Sequence, residues 1–231
     1  MANLKQRVKG LLNATWGQDM KSLSRIGKKH GTDKYRHGYL PFYEEYFDCH
    51  RSEKFRLLEI GIFAGQSLRM WAEYFANSLI TGCDILEESF ITAERVECCH
   101  LDQSSRMALA EFRESHREGF DIIIDDGSHV MKDQQTSLAM LFPLLKRGGW
   151  YVIEDIHTST GESEKCFEIY GLERDLSNST VGMLKAFIES KKIASSYFDE
   201  AEADYLNENI LSCELFNPKR WSATSMIRKK S

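Results

Sequence analysis

Two stretches of the chain end an apolar run in acids and follow them, three residues on, with an imidazole. "FDIIIDDGSH" (120–129) places His129 three residues after Asp126, and "WYVIEDIH" (150–157) places His157 three after Glu154. If both apolar runs are neighbouring strands, Asp126, Glu154 and Asp155 converge on one crevice. Carboxylates so placed repel one another unless a cation shares them. An all-oxygen donor set suits Mg2+, Mn2+ or Ca2+ rather than zinc. Imidazole can take up a proton near neutrality, so His129 or His157 could act as base on a bound substrate. The plainer reading keeps the acids as helix caps and the histidines on the surface; two such motifs in one chain weigh against it.

Other polar positions belong with these. Gly61 and Gly65, in "LLEIGIFAGQSLRMW", form a G-x-x-x-G turn between an expected strand and an expected helix. Glycines there allow close approach of a ligand, and the helix start at Gln66-Ser67 offers free N–H groups. The spacing is not the G-x-G-x-x-G of dinucleotide sites. Glu59 precedes the turn, and Asp84 ends the next strand, where an acid can hold ribose hydroxyls. "GTDKYRHGYLPFY" (31–43) concentrates Thr32, Asp33, Lys34, His37 and Tyr39. It is either a loop closing over a ligand or a capped connector.

These positions need elements to hold them. Strand-like runs at "FRLLEI", "LITGCDI", "VECCHL", "FDIIID" and "WYVIED" alternate with helical stretches at Gln66–Ala76, Ser104–His116 and Lys132–Lys146. The last is expected to stop at Gly148-Gly149. Apolar strands separated by helices indicate a parallel sheet covered on both faces, with ligands outside the carboxyl ends of the strands. The short link at 86–95 predicts a stunted helix. A helix is expected over Val181–Lys192, then "NILSCELF" and "WSATSMIRK" as a terminal antiparallel hairpin. Residues 1–50 read as a helical leader or lid, with Tyr39, Phe42, Tyr43, Tyr46 and Phe47 on one helical face; residues 51–231 read as the main domain.

The bulk composition excludes several roles. The chain has 231 residues, 42% hydrophobic and 28% charged, with a formal net charge of −5. That charge gives no footprint for nucleic acid. No apolar stretch approaches the ~20 residues of a membrane span, and no secretory signal is evident, so a cytoplasmic location is expected. The six cysteines (Cys49, Cys83, Cys98, Cys99, Cys166 and Cys213) show neither zinc spacing nor a disulfide framework.

Taken together, "GTDK…HGY…FY", "LEIGIFAGQS", "GCDI", "LDQSS", "FDIIIDDGSH" and "LFPLLKRGGWYVIEDIHTS" resemble the macrocin and mycinamicin sugar O-methyltransferases. The resemblance runs in order from about Gly31 to Ser159. It implies a class I, Rossmann-like α/β methyltransferase: a doubly wound, mostly parallel seven-stranded sheet with a C-terminal antiparallel hairpin. It also implies S-adenosyl-L-methionine as methyl donor and Mg2+ (or Mn2+) as metal. Glu59, Gly61, Gly65 and Ser67 would lie along the donor's methionine part, Asp84 at its ribose, Gln103 and Ser104 near its adenine, and Asp125 on its side of the crevice. Thr32, Lys34 and Tyr39 would belong to a segment closing over donor and acceptor. Asp126, Glu154 and Asp155 would hold the metal, with His129 as general base and His157 next in line.

The expected reaction is methyl transfer to a hydroxyl of a sugar or glycoconjugate, through a neighbouring pair of hydroxyls held by the metal. The acceptor is then a small molecule or glycan, with no nucleic-acid partner, and homo-oligomerisation is left open. A catechol-like acceptor is the nearest alternative. A nicotinamide-dependent oxidoreductase, disfavoured by "GIFAG", and a non-catalytic donor-binding subunit are others.

Overall fold

The structure, a computed structural model, describes residues 22–160, 168, 176–219 and 221–231. Seven strands form one sheet: β1 (Arg56–Ile60), β2 (Leu79–Asp84), β3 (Val96–His100), β4 (Phe120–Asp125), β5 (Leu145–Ile153), β6 (Ile210–Lys219) and β7 (Ser222–Lys229). Their order is β3-β2-β1-β4-β5-β7-β6. The first five pair in parallel, whereas β7 pairs antiparallel with both β5 and β6. This is the class I methyltransferase arrangement expected from the sequence, with its C-terminal hairpin.

Strand periodicity sorts the core onto two faces, because successive side chains point opposite ways. Leu57, Ile122, Ile124 and Val152 pack with helices α1 (Leu23–His30), α3 (Leu40–Phe47) and α4 (Gln66–Tyr74). Leu58, Ile123, Tyr151 and Ile153 face the other way, against α5 (Arg106–Ser115), α6 (Met131–Leu141), α7 (Thr180–Ser190) and α8 (Glu200–Asn209). Each strand residue buried on either face contributes about 2 kcal/mol of transfer energy.

The aromatic face expected in the leader divides in two. Tyr39, Tyr43 and Phe47 are fully buried, the last two against Trp71, while Phe42 and Tyr46 lean on Phe216 and Trp150. Thus α3 joins the C-terminal hairpin to the parallel sheet. The segment read as a loop holds a short helix, α2 (Asp33–His37). Residues 1–21 of the leader, most of the polar stretch before Thr180, and Cys166 lie outside the described residues.

Two boundaries differ from the sequence reading. The helix expected to reach Lys146 ends at Leu141, because Pro143 has no N–H and the chain tightens into a 3-10 turn over Phe142–Leu144. Gly148 and Gly149 therefore lie inside β5, where Gly148 (φ +72°) accompanies a register shift against β4. The sequence reading also omitted α8, whose start carries a capping box between Asp199 and Glu202. The link at 86–95 holds only the 3-10 turn Glu87–Ser89.

Among the described residues no helix is long and apolar enough to cross a membrane.

One glycine fixes the crevice geometry. Gly61 follows β1 at φ +94°, and a Cβ there would lie 2.0 Å from the Asp126 carbonyl oxygen. Strain and backbone collision then act together. Gly61→Ala is expected to destabilise the chain by about 3 kcal/mol, read as a lower urea midpoint at unchanged m value.

Candidate active site

The backbone ladder continues past the strand ends. The Asp126 N–H donates to Ile60 O at 2.9 Å, and the Glu154 N–H donates to Asp125 O at 2.9 Å. The tips of β1, β4 and β5 are thereby locked side by side, which brings Glu59, Asp126 and Glu154 to one place. Single oxygens of these three lie within 4.8 Å of one another. A second group, within the same limit, joins Asp126 to His129 and Asp155. Asp126 belongs to both. The expected trio of Asp126, Glu154 and Asp155 is thus distributed over two adjoining groups that share Asp126.

Lys34, from α2, occupies the first group. Its ammonium bonds Asp126 and lies 3.0 Å from both Glu59 Oε1 and Glu154 Oε1, with the side chain 1% exposed. Glu59 is oriented on its other side by Ser67 Oγ, which donates to Oε2 at 2.8 Å. Burial opposes the charged ammonium, but Asp126, Glu154 and Glu59 outweigh it and hold its pKa well above the ordinary lysine value. Lys34 therefore stays protonated.

Asp155 organises the second group. Tyr39 Oη donates to Asp155 Oδ1 at 2.5 Å and His37 Nδ1 lies 3.0 Å from the same oxygen. His129 Nε2 stands 3.7 Å from Asp155 Oδ2, and His157 Nδ1 3.8 Å from Oδ1. Asp155 and His129 both sit at positive φ, +53° and +59°. Such backbone costs of order 1–3 kcal/mol and persists only where its surroundings hold it. Here Thr158 Oγ1 donates to both the His129 and Asp155 carbonyls.

The two groups titrate in opposite senses. Burial raises Asp126 to about 6 despite Lys34, and burial with repulsion from Asp126 raises Glu154 well above the carboxylate range. Burial also acts on Asp155, but the His37 hydrogen bond and the His129 charge overcome it and hold its pKa low. Asp155 hydrogen bonding likewise raises His37 against the opposing effect of burial. For His157, burial prevails and lowers the pKa.

Beside the acids two cavities of about 350 and 330 Å³ share Gly61, Asp84 and Gly127. Thr32, Ser67, Asp126 and His129 line the first; Gln103 and Ser104 line the second. Gly65 lies just behind, at the start of α4. Asp84 accepts from the Ile62, Phe63 and Leu86 N–H groups, which pins the glycine turn to the tip of β2. Among the described residues no lysine or arginine lines either cavity, whereas Asp33, Asp84, Asp102, Asp126 and Asp133 do. A Cβ on Gly127 would lie 2.2 Å from Gln103 Oε1, so a side chain there would displace the expected adenine-side residue. Asp125 is buried: Gln103 Nε2 donates to its Oδ1 at 2.6 Å, and its Oδ2 has no hydrogen-bond partner among the described residues.

Lys34 and Tyr39, expected in a segment closing over donor and acceptor, reach into the acid cluster, because buried carboxylates draw the nearest donors. His37 received no individual role from the sequence, although its place in the dense 31–43 segment was visible. Gly127 was passed over too; its signal was a glycine directly after paired strand-end acids.

The donor set fits both absent groups. Clustered carboxylates beside an imidazole suit a hard divalent cation. A glycine-cleared, acid-lined cavity suits a cationic sulfonium nucleoside.

The comparisons bear on the same region. A family described as a methyltransferase domain matches residues 58–156. The chain is 35% identical over 190 residues to the 8-demethyl-8-alpha-L-rhamnosyl tetracenomycin-C 2'-O-methyltransferase of Streptomyces olivaceus, covering 79% of this chain and 49% of that protein. It is 32% identical over 214 residues to the mycinamicin VI 2''-O-methyltransferase of Micromonospora griseorubida, covering 87% and 52%. Among solved structures, MycE methyltransferase from the mycinamycin biosynthetic pathway, in complex with Mg, SAH and mycinamycin VI, superposes with a TM-score of 0.74 at 30% identity. That match covers 93% of this chain and 56% of MycE. The chain thus spans about half the length of the curated relatives it matches.

Asp125 supplies a pH test in metal-free protein. Burial lifts its carboxyl to about 8, with Gln103 pulling the other way. The folded chain then keeps a proton that the unfolded chain has released, so the stability this proton confers is full below pH ~4 and lost between about 4 and 8. Asp125→Asn should flatten that loss. In EDTA its melting temperature should exceed wild type at pH 8 and approach it at pH 4. Parallel curves at both pH values would contradict a protonated Asp125.

Proposed function

Because this chain belongs to the family of macrocin- and mycinamicin-type sugar O-methyltransferases, we propose that it transfers a methyl group from S-adenosylmethionine to a hydroxyl of a sugar or glycoconjugate, with divalent metal. One observation carries the reading: the Asp126–His129–Asp155 group opens on the acid-lined cavity that Gly61 clears and Asp84 borders. Donor site and metal site therefore share a wall, Asp126 and His129 lining both. That MycE, at 30% identity, is solved with Mg, SAH and mycinamycin VI supports pairing a divalent metal with this donor.

Asp126 and Asp155, with Glu154 in the adjoining group, would hold a divalent metal that would supply a Lewis acid to the acceptor hydroxyl, and the sulfonium donor would supply the methyl. The chain's residues do the remaining work. Asp84 and the Gly61 turn orient the donor's ribose and methionine ends, with Gln103 and Ser104 flanking the adenine. Asp155, held low in pKa by His37 and Tyr39, keeps its charge for cation binding at every physiological pH. His129 takes the acceptor's proton at Nε2, which the Asp155 carboxylate 3.7 Å away orients and balances once charged. Its left-handed backbone, fixed by Thr158, holds the ring at the cavity mouth. Placement of both reactants against one wall supplies most of the remaining acceleration.

The acceptor side is bordered by His37, His157 and Trp221, the last half exposed and edge-on to His37 at 5.1 Å. An apolar ring beside imidazoles and a metal suits the mixed face of a pyranose. A 6-deoxysugar glycoside with free vicinal hydroxyls is the acceptor class we favour over catechols.

The test is transfer of labelled methyl to a panel of rhamnosyl glycosides and catechols. Label is expected in the sugars, lost in EDTA and restored by Mg2+; full activity in EDTA refutes the metal's part, and label confined to catechols refutes the acceptor class. His129→Ala should lower kcat by about 10²–10⁴. S-adenosylhomocysteine affinity, read by calorimetry, should stay within about twofold of wild type.

A further inference from the structure

Four carboxylates meet in the crevice, and the only fixed positive charge among the described residues in their midst is one buried ammonium. Glu59 and Glu154 are fully buried and lie 3.0 Å from Lys34 Nζ, and Asp126 accepts from the same nitrogen. Lys34 arrives from outside the sheet, on α2, ninety-two positions before Asp126 in the sequence. Its segment is fastened independently of the ion pair. His37 and Tyr39 bond Asp155, Tyr39 also donates to Ala223 O, and Ser222 Oγ donates to His37 O. The ammonium is thus presented to the acids by a braced helix.

From this geometry we infer that Lys34 is a positioning residue: the internal counter-ion that holds Glu59, Asp126 and Glu154 together before any metal arrives, and that weakens the cluster's pull on divalent cations. The inference rests on the metal-site reading above and adds to it. Three buried acids drawn around one lysine cannot fly apart when the crevice is metal-free, so the strand tips keep their spacing. The same positive charge repels an incoming cation. Affinity is thereby set low enough for exchange, with Asp126 shared between the two groups as the point of contact.

The two effects have opposite signs on removal of Lys34, which makes them separable from a packing role. A merely structural lysine, once removed, lowers stability equally with and without metal. A counter-ion, once removed, leaves uncompensated acids that a divalent cation can neutralise in its place. Lys34→Gln in EDTA should melt about 10 °C below wild type. Saturating Mn2+ should restore most of that, giving a metal-induced rise at least roughly twice the wild-type one. The Mn2+ dissociation constant, read by electron paramagnetic resonance of the free ion, should fall about tenfold. Lys34→Gln/Glu59→Gln, which removes one acid with the lysine, should recover part of the metal-free loss.

The outcomes separate cleanly. Wild type that binds no Mn2+ removes the metal reading, and this inference with it. Wild type that binds Mn2+ while Lys34→Gln shows an equal or smaller metal-induced rise removes only the counter-ion. Should Lys34→Gln fold only with Mn2+, the inference stands. Should it stay insoluble with Mn2+, with the double variant no better, the inference is overturned.

Discussion

The arrangement depends on one electrostatic constraint: carboxylates on three neighbouring strand tips must coexist in a water-poor crevice. Their repulsion is large at such separations when solvent screening is weak. The fold meets it from two directions. Within the sheet, the ladder bonds of Asp126 to Ile60 and Glu154 to Asp125 fix the spacing of the tips. From outside, α2 supplies an ammonium that the acids keep charged and an imidazole whose pKa the Asp155 hydrogen bond raises against burial. Removing either brace leaves the other opposing the full repulsion. That is why the N-terminal helices, otherwise peripheral to a parallel sheet, belong to the site.

The same constraint explains the C-terminal hairpin. A parallel sheet ending at β5 would leave Glu154 and Asp155 on an open edge, exposed to water and free to swing. Pairing with β7 covers that edge, and it supplies the Ala223 carbonyl and Ser222 hydroxyl that tie down Tyr39 and His37. The packing of Tyr46 on Trp150 and of Phe42 on Phe216 then joins leader, sheet and hairpin. Hydrophobic burial there does electrostatic service, since it prevents the counter-ion helix from lifting off.

Which parts of this were legible beforehand follows from the range of each interaction. The strands were readable because apolar runs bounded by polar turns are local signals, and the crevice followed because loops at the carboxyl ends of parallel strands face one another. The helix ends at Leu141 rather than near Lys146, because Pro143 stops it before the glycines at 148–149 are reached. Helix α8 was passed over although Asp199 and Glu202 write its cap into the sequence. The role of Lys34 was out of reach, because the partners that define it lie on strands 25, 92 and 120 positions away (34 to 59, 126 and 154) and nothing local marks a lysine for burial. Charge counting would have come closest. A chain that gathers that many acids at one place needs fixed cations, and the densest polar segment not yet given a role, 31–43, was where to seek them.

The sign of the crevice also decides between ligands that the sheet alone would accept. Open α/β sheets bind nucleotides of either charge at this position, and those carrying a pyrophosphate need free N–H groups or basic side chains against the phosphates. Here the Ile62 and Phe63 N–H groups at the glycine turn are already committed to Asp84. The described walls carry acids and no lysine or arginine, and Lys34 is turned away into the acid cluster. A pyrophosphate would meet repulsion on every side, whereas a sulfonium carries the charge these walls attract. A neutral thioether product would lose that attraction once the methyl had left, so a crevice that drew in such a donor would hold its spent form less firmly. Turnover in such a site is helped by the same acids that would otherwise pull the strand tips apart.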